Sequence, residues 1–205
     1  MSPAGSVLTV IAHPDDAELW AGGTLAIHAQ AGAPVTIALP RANEVRDREA
    51  AASAETLGAA LCLLDELTAD ALRGLLSELR PEVVITHNTD DIHPDHQRTA
   101  QTLLTAVPEA VIATGHPRRV YTCDGYHNLR RDGRALHLPV IVDVTSVWER
   151  KMRALAGHGS QPIDEHFAPM VQTLGQLHGC RIGVRYAEAF VPLPILGRLP
   201  ASPHL

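Results

Sequence analysis

Through its first 115 residues the chain alternates short β-branched runs with longer amphipathic ones, and the connections between them are short. "VLTVIA" (7–12), "PVTIALP" (34–40), "ALCLLD" (60–65), "EVVITHN" (82–88) and "EAVIAT" (109–114) read as strands. Between them, "GTLAIHAQAG" (23–32), "NEVRDREAAASAETLGA" (43–59), "DALRGLLSELR" (70–80) and "DHQRTAQTLLTAV" (95–107) read as helices, the first two closing at a glycine. Such alternation calls for right-handed βαβ crossovers and a mostly parallel sheet flanked by helices. The expectation is therefore a Rossmann-like α/β fold with strand order 3-2-1-4-5, as a single domain over residues 1–205. After residue 115 the pattern loosens, and "CDGYHNLRRDGRALH" predicts an irregular or hairpin excursion. "LPVIVDVT" (138–145) then returns as a strand and "SVWERKMRALAGH" (146–158) as a helix, before a Pro-rich tail, "LPILGRLPASPHL", that reads as irregular.

That strand order brings the carboxyl ends of the first and fourth strands side by side, the edge where open parallel sheets bind ligands. The first strand delivers "HPDD" (13–16) to this edge and the fourth delivers "HNTDDIHPDH" (87–96). His13 and Asp16 in one loop, with His96 in the other, make two imidazoles and one carboxylate. This donor set suits a catalytic zinc site with one open position, and it suits ferrous iron as well. Asp15 is then left beside a ligand without being needed as one, where a general base belongs. A cation also offsets the repulsion between the two adjacent aspartates. An Asp after a strand is often only a helix cap or a turn residue. Two His/Asp clusters at the ends of two neighbouring strands are much harder to dismiss that way.

Composition removes several function classes. A formal net charge of -6 and an aromatic content of 3% supply neither the basic footprint nor the stacking surface that nucleic acid requires, and an anionic membrane needs the same basic footprint. No stretch is apolar enough to span a bilayer, and the N-terminus lacks the basic and apolar segments of a signal peptide. Three scattered cysteines, Cys62, Cys123 and Cys180, form no disulfide framework and point to a reducing cytoplasm. Gly22 and Gly23 lack a GxGxxG context, so they read as permitting a tight turn rather than binding a dinucleotide. Ser160 near His158 lacks a nucleophile elbow, and "RRDGR" (130–134) reads as a solvated turn. A homo-oligomer is compatible with all of this.

The segments "AHPDDAELWAGGTLA" and "DIHPDH", with "RDREAAASAETLG" between them, strongly resemble the PIG-L/LmbE-like N-deacetylases, zinc-dependent enzymes that remove acyl groups from amino sugars. The resemblance continues in "VDVTSVWERKMRALAGHGSQ" (142–161) and "YAEAF" (186–190). It implies His13, Asp16 and His96 as metal ligands and Asp15 as the catalytic base. It further implies His93 as a group that stabilises the oxyanion or protonates the leaving amine, and Arg46 as a substrate contact. Asp95 is expected to orient a metal-bound histidine, as such imidazoles usually require. Trp20 stands where many members carry a small residue; it either packs under the sheet edge or walls the pocket, and it is taken here as a substrate-binding surface. The function implied is zinc-dependent removal of an N-acetyl group from a small amino sugar or a metabolite containing one. Two alternatives stay open: an amidase on a thiol–sugar conjugate or other small amide, and a metal-binding module without turnover. Asp15 and His93 speak against the last, since a mere metal trap needs neither.

Overall fold

Every residue of β1 (Val7–Val10) and of β4 (Val83–Thr86) is buried. Strands covered on both faces are what a parallel sheet sandwiched between helices requires. A computed structural model, describing residues 5–199, shows how the rest follows. After β1 come α1 (Asp16–Gln30), β2 (Val35–Pro40), α2 (Glu44–Leu57), β3 (Ala60–Leu64), α3 (Ala69–Leu79), β4 and α4 (Pro94–Thr114). Then come β5 (Arg119–Cys123), β6 (Val140–Asp143), α5 (Trp148–Ala156), α6 (Ala168–Ile182) and β7 (Ala187–Leu193). The seven strands form one mixed sheet in the order β3-β2-β1-β4-β5-β7-β6. The first five are parallel, and β7 runs antiparallel to both β5 and β6. The expected 3-2-1-4-5 core is therefore present.

Its fifth strand is not the expected one. Residues 109–114 are the last turns of α4, which continues past Pro108 and stops at Gly115 (φ 77°). In this helix Ala110 is fully buried while Ile112 is 74% exposed, which marks a helical face rather than a strand. A short apolar run cannot be assigned from periodicity alone, and Pro108 disguises the continuity. Helix α1 also differs from expectation, beginning at Asp16 rather than at Gly23. Gly22 and Gly23 thus lie inside it. A Cβ at Gly23 would sit 2.6 Å from Val144 Cβ, so this glycine serves close packing rather than a turn. Of the Pro-rich tail, β7 takes in Leu193, and residues 200–205 lie outside the described residues.

Helices α3 and α4 cover one face of the sheet, with Leu72, Leu76, Leu103 and Val107 packing on Leu8, Val10 and Val84. Helices α1, α2, α5 and α6 cover the other. Helix α1 is buried from Asp16 through Ala26, and it carries polar groups inward with it. Among them, the amides of Gly23 and Thr24 donate to Glu188 of β7, which also pairs with the buried Lys151 Nζ at 2.7 Å. Lys151 donates in turn to the Leu19 carbonyl. This satisfied network locks α1 against α5 and β7, and so fixes the helix whose first residues carry the "HPDD" loop. No described helix is long and apolar enough to cross a membrane.

Candidate active site

The loop after β1 and the loop after β4 meet at the carboxyl edge of the sheet, because β1 and β4 pair directly in register. Asp15 occupies the N-cap of α1 with φ 99°, a left-handed conformation costly for a non-glycine residue, of order 1–3 kcal/mol. Its side chain makes no capping hydrogen bond, so the carboxylate is not committed to the helix end. Asp16, 1% exposed, begins the helix. Its Oδ2 accepts the His13 backbone N–H at 2.8 Å and lies 3.2 Å from His13 Nδ1. Its Oδ1 lies 3.3 Å from His96 Nε2, while the Trp20 indole donates to the same oxygen at 3.3 Å.

Five donor residues converge here. His13, His93 and His96 form one set with ligand atoms within 4.8 Å, and Asp16, His87 and His96 form another. Backbone hydrogen bonds separate them. His87 Nε2 accepts the Ala12 N–H at 3.0 Å, and burial holds this ring below its ordinary pKa, so its lone pair is committed. His93 Nδ1 accepts the Asp95 N–H at 3.2 Å as the cap of α4, which places the proton of the neutral ring on Nε2. His13, Asp16 and His96 remain with electron pairs not committed to the backbone.

The electrostatics ask for a cation among them. His96 Nε2 is buried without a hydrogen bond, facing Asp16. Burial alone would lower the His96 pKa, but Asp16 and Asp91 together push it up to about 10. A divalent cation held there would neutralise the same negative charge. Burial opposes ionisation of Asp16, yet His87 and His96 hold its carboxyl well below the usual range. Asp15 behaves oppositely: burial, then the Asp16 charge, raises it to about 7, against the pull of Arg46 and His158. Two adjacent aspartates are driven apart in basicity by their surroundings, the pattern that separates a ligand from a base.

The remaining expected residues are placed as follows. Arg46 reaches back from α2, whose start is capped by Asn43, to donate to the Pro14 carbonyl at 2.6 Å and to Asp15 Oδ2 at 3.2 Å. Asp95 lies 3.3 Å from His13 Nε2 and pairs with Arg98. Trp20 is 3% exposed, so it offers almost no surface to a ligand and instead holds Asp16.

Sequence reasoning missed three supporting groups. Buried Asp91 lies 3.1 Å from His96 Nδ1 and accepts the His93 N–H, fixing both histidines. It precedes "HPDH" in "DDIHPDH", a signal hidden by the excess of carboxylates there. His87, at the end of a fully buried strand, could have been flagged for that position. His158, buried 3.4 Å from Glu18 Oε2, backs the loop, with Ser53 donating to Glu18 at 2.6 Å.

Known proteins share this fold. Residues 8–107 match the family model of PIG-L, described as GlcNAc-PI de-N-acetylase. Among solved structures, the conserved protein TT1542 from Thermus thermophilus superposes with a TM-score of 0.79 at 26% identity, covering 93% of this chain and 96% of that one. The 4-carboxy-2-hydroxymuconate hydratase GalB from Pseudomonas putida gives a TM-score of 0.77 at 24% identity, covering 92% and 96%. The N,N'-diacetylchitobiose deacetylase from Pyrococcus horikoshii gives 0.70 at 22% identity, covering 93% and 84%. The matched segment holds both loops and all five converging donors, so the match to the PIG-L family model spans the whole candidate site.

Proposed function

We propose that this chain is a metal-dependent N-deacylase that hydrolyses the acetyl amide of a small amino sugar or a metabolite containing one. The observation that carries the reading is Asp15: a carboxylate with a raised pKa, uncommitted to any cap, beside a donor triad in which His96 Nε2 is buried without a hydrogen bond. We assign His13, Asp16 and His96 as the metal ligands, with zinc favoured and ferrous iron also suited to the set. A bound ion of this kind supplies Lewis acidity, polarising an acyl oxygen and acidifying water.

The chain's own residues supply the rest. Asp15 takes the proton of the attacking water, a contribution of about 10²–10⁴ in rate. Arg46 holds Asp15 in place and offers its remaining N–H groups to substrate oxygens. His93 presents Nε2–H toward the site, as a donor to the oxygen that gains charge or to the departing nitrogen, which takes its proton from His93 or from protonated Asp15 as the C–N bond breaks. Loss of one such donor typically costs about 10²–10³ in kcat. Asp91 and His87 keep His96 and Asp16 from rotating away.

The family description and the chitobiose deacetylase support a sugar substrate. The hydratase of the same fold supplies a second reading, addition of water to an unsaturated acid, which would use the same base and cation. Three free cysteines fit action in a reducing cytoplasm. Release of acetate and amine from a panel of N-acetyl sugars tests the proposal; hydration of an enoic acid with no amine released would favour the second reading.

A further inference from the structure

Tyr126 has no part in the chemistry above, yet it stands in the site. It follows β5 in a 3-10 turn, Tyr126–Asn128. Its ring lies 5.8 Å from that of His96 at an interplanar angle of 12°, and edge-on to Trp20 at 5.3 Å. Trp20 fills the space behind and is buried, whereas Tyr126 keeps part of its surface open. Phe167, also half-buried, continues the aromatic surface at 6.3 Å. It ends a π-helical turn, Ile163–Phe167, an irregularity frequent at functional sites. In a chain with so few aromatic residues, Trp20, Trp148, Tyr186 and Phe190 are buried, while Tyr121 within β5 and this adjacent pair are not.

The turn that presents Tyr126 is held from two sides. His127 and Asn128 both take positive φ, 55° and 59°, a backbone that persists only where its surroundings impose it. Buried Asp124 imposes it: Oδ1 accepts the Gly125 N–H at 2.8 Å and the Asn128 amide at 2.9 Å, and Oδ2 lies 2.6 Å from His178 Nε2. Beyond the turn, Arg130 bonds Asp90 at 2.7 Å and the Arg131 N–H donates to the Asp90 carbonyl. Those contacts tie the segment to the loop that carries His93 and His96. The phenol hydroxyl is a neutral donor at physiological pH. Ile92, beside His93, and Leu129, beyond the turn, are 46% and 40% exposed and give this rim an apolar character.

We propose that Tyr126 determines specificity at this site. Its ring, continued by Phe167, packs against the sugar that carries the acylated nitrogen, and its hydroxyl donates to an oxygen of that sugar. The apolar rim then favours glycosides with an apolar aglycone over the free sugar. The sugar's identity rests on the N-deacylase reading.

The test is binding of benzyl glucosaminide, already deacylated and so not turned over, to zinc-loaded protein by calorimetry, with free glucosamine as comparison. Kinetics on the two N-acetyl parents run alongside. Tyr126→Phe should weaken benzyl glucosaminide about 3- to 10-fold, the value of one neutral hydrogen bond. Tyr126→Leu should weaken it by about 10-fold or more as the ring contact goes too. Phe167→Leu should weaken it, and free glucosamine with it, about 3-fold. All three should keep their metal, and the kinetic loss should fall in KM more than in kcat. Tyr126→Phe and Phe167→Leu preserve most of the packing, so a folding defect in Tyr126→Leu does not blunt the test. Parent-like affinity in both conservative variants, or no binding by the parent, overturns the proposal. Inactivity of the parent on every N-acetyl sugar sinks the deacylase reading instead, and the binding comparison still decides the role of Tyr126.

Discussion

Arg46 and Asp15 are bound to each other: Nη2 lies 3.2 Å from Asp15 Oδ2 while donating to the Pro14 carbonyl at 2.6 Å. The contact ties α2 to the "HPDD" loop and places a fixed positive charge against the proposed base. Arg46 stabilises the charged carboxylate, so its loss must raise the Asp15 pKa. A base works when deprotonated, and the acidic limb of kcat/KM should therefore move to higher pH. In Arg46→Lys, whose ammonium cannot copy the forked contact, we expect the limb to move by about one pH unit with metal content unchanged. An unmoved limb would show that this contact does not tune the base.

The two aspartates should separate by experiment. Asp16→Ala removes a proposed ligand that also meets His13 and His96, and the purified variant should carry little metal. Asp15→Asn should keep the metal and lose about 10²–10⁴ in turnover. Metal analysis of the two proteins checks this directly; equal loss of metal in both would reverse the assignment.

Stability without metal should depend on Asp15 with a definite sign. Its folded pKa, about 7, lies above the ordinary value of 3.8, so the folded state binds a proton that the unfolded state has released across that window. The metal-free protein should therefore gain stability as pH falls from about 7 toward 4. Asp15→Asn, neutral throughout, should melt higher than the parent at pH 8, by about 2–4 °C for each kcal/mol relieved. The difference should vanish near pH 4. A gap that is flat with pH would mean that Asp15 is not strained by burial and by the Asp16 charge.

Asp91 is expected to matter more to the metal than Asp95. It is buried against His96 Nδ1, whereas the Asp95 side chain is 44% exposed beside His13. Carboxylates that orient a ligating histidine typically account for about 10–100-fold in affinity. Asp91→Asn should weaken zinc by that amount in a chelator competition, and Asp95→Asn by less. The opposite ranking would return the orienting role to Asp95, the residue that the sequence alone suggests for it.

Much of this site is legible in residue order because its donors lie within two short loops at the ends of buried parallel strands. His13, Asp15, Asp16 and His96 are each fixed by local chain geometry, so their spacing brings them forward, whereas His93 is found through the family resemblance. Arg46 is found through the family resemblance, but its first partner, Asp15, lies across the sheet edge and leaves no local signature. Trp20 is misjudged as a surface because helix α1 starts earlier than its glycines suggest, which turns that side chain inward. Asp91, His87 and Tyr126 act through contacts between distant segments, which periodicity does not report. The C-terminal strands are the least legible part: β7 inserts between β5 and β6 in antiparallel fashion, a long-range pairing that local pattern does not report.

The central claim is that this site hydrolyses an N-acetyl amide with Asp15 as base and a divalent metal in place. The most direct measurement is simultaneous detection of acetate and free amine from N-acetylglucosamine glycosides, using zinc-loaded parent, chelated parent and zinc-loaded Asp15→Asn. The account expects equal amounts of acetate and amine from the loaded parent, loss of both on chelation with recovery on adding metal, and at most about one hundredth of the rate in Asp15→Asn. Acetate release that survives chelation, or an Asp15→Asn variant as fast as the parent, would contradict it.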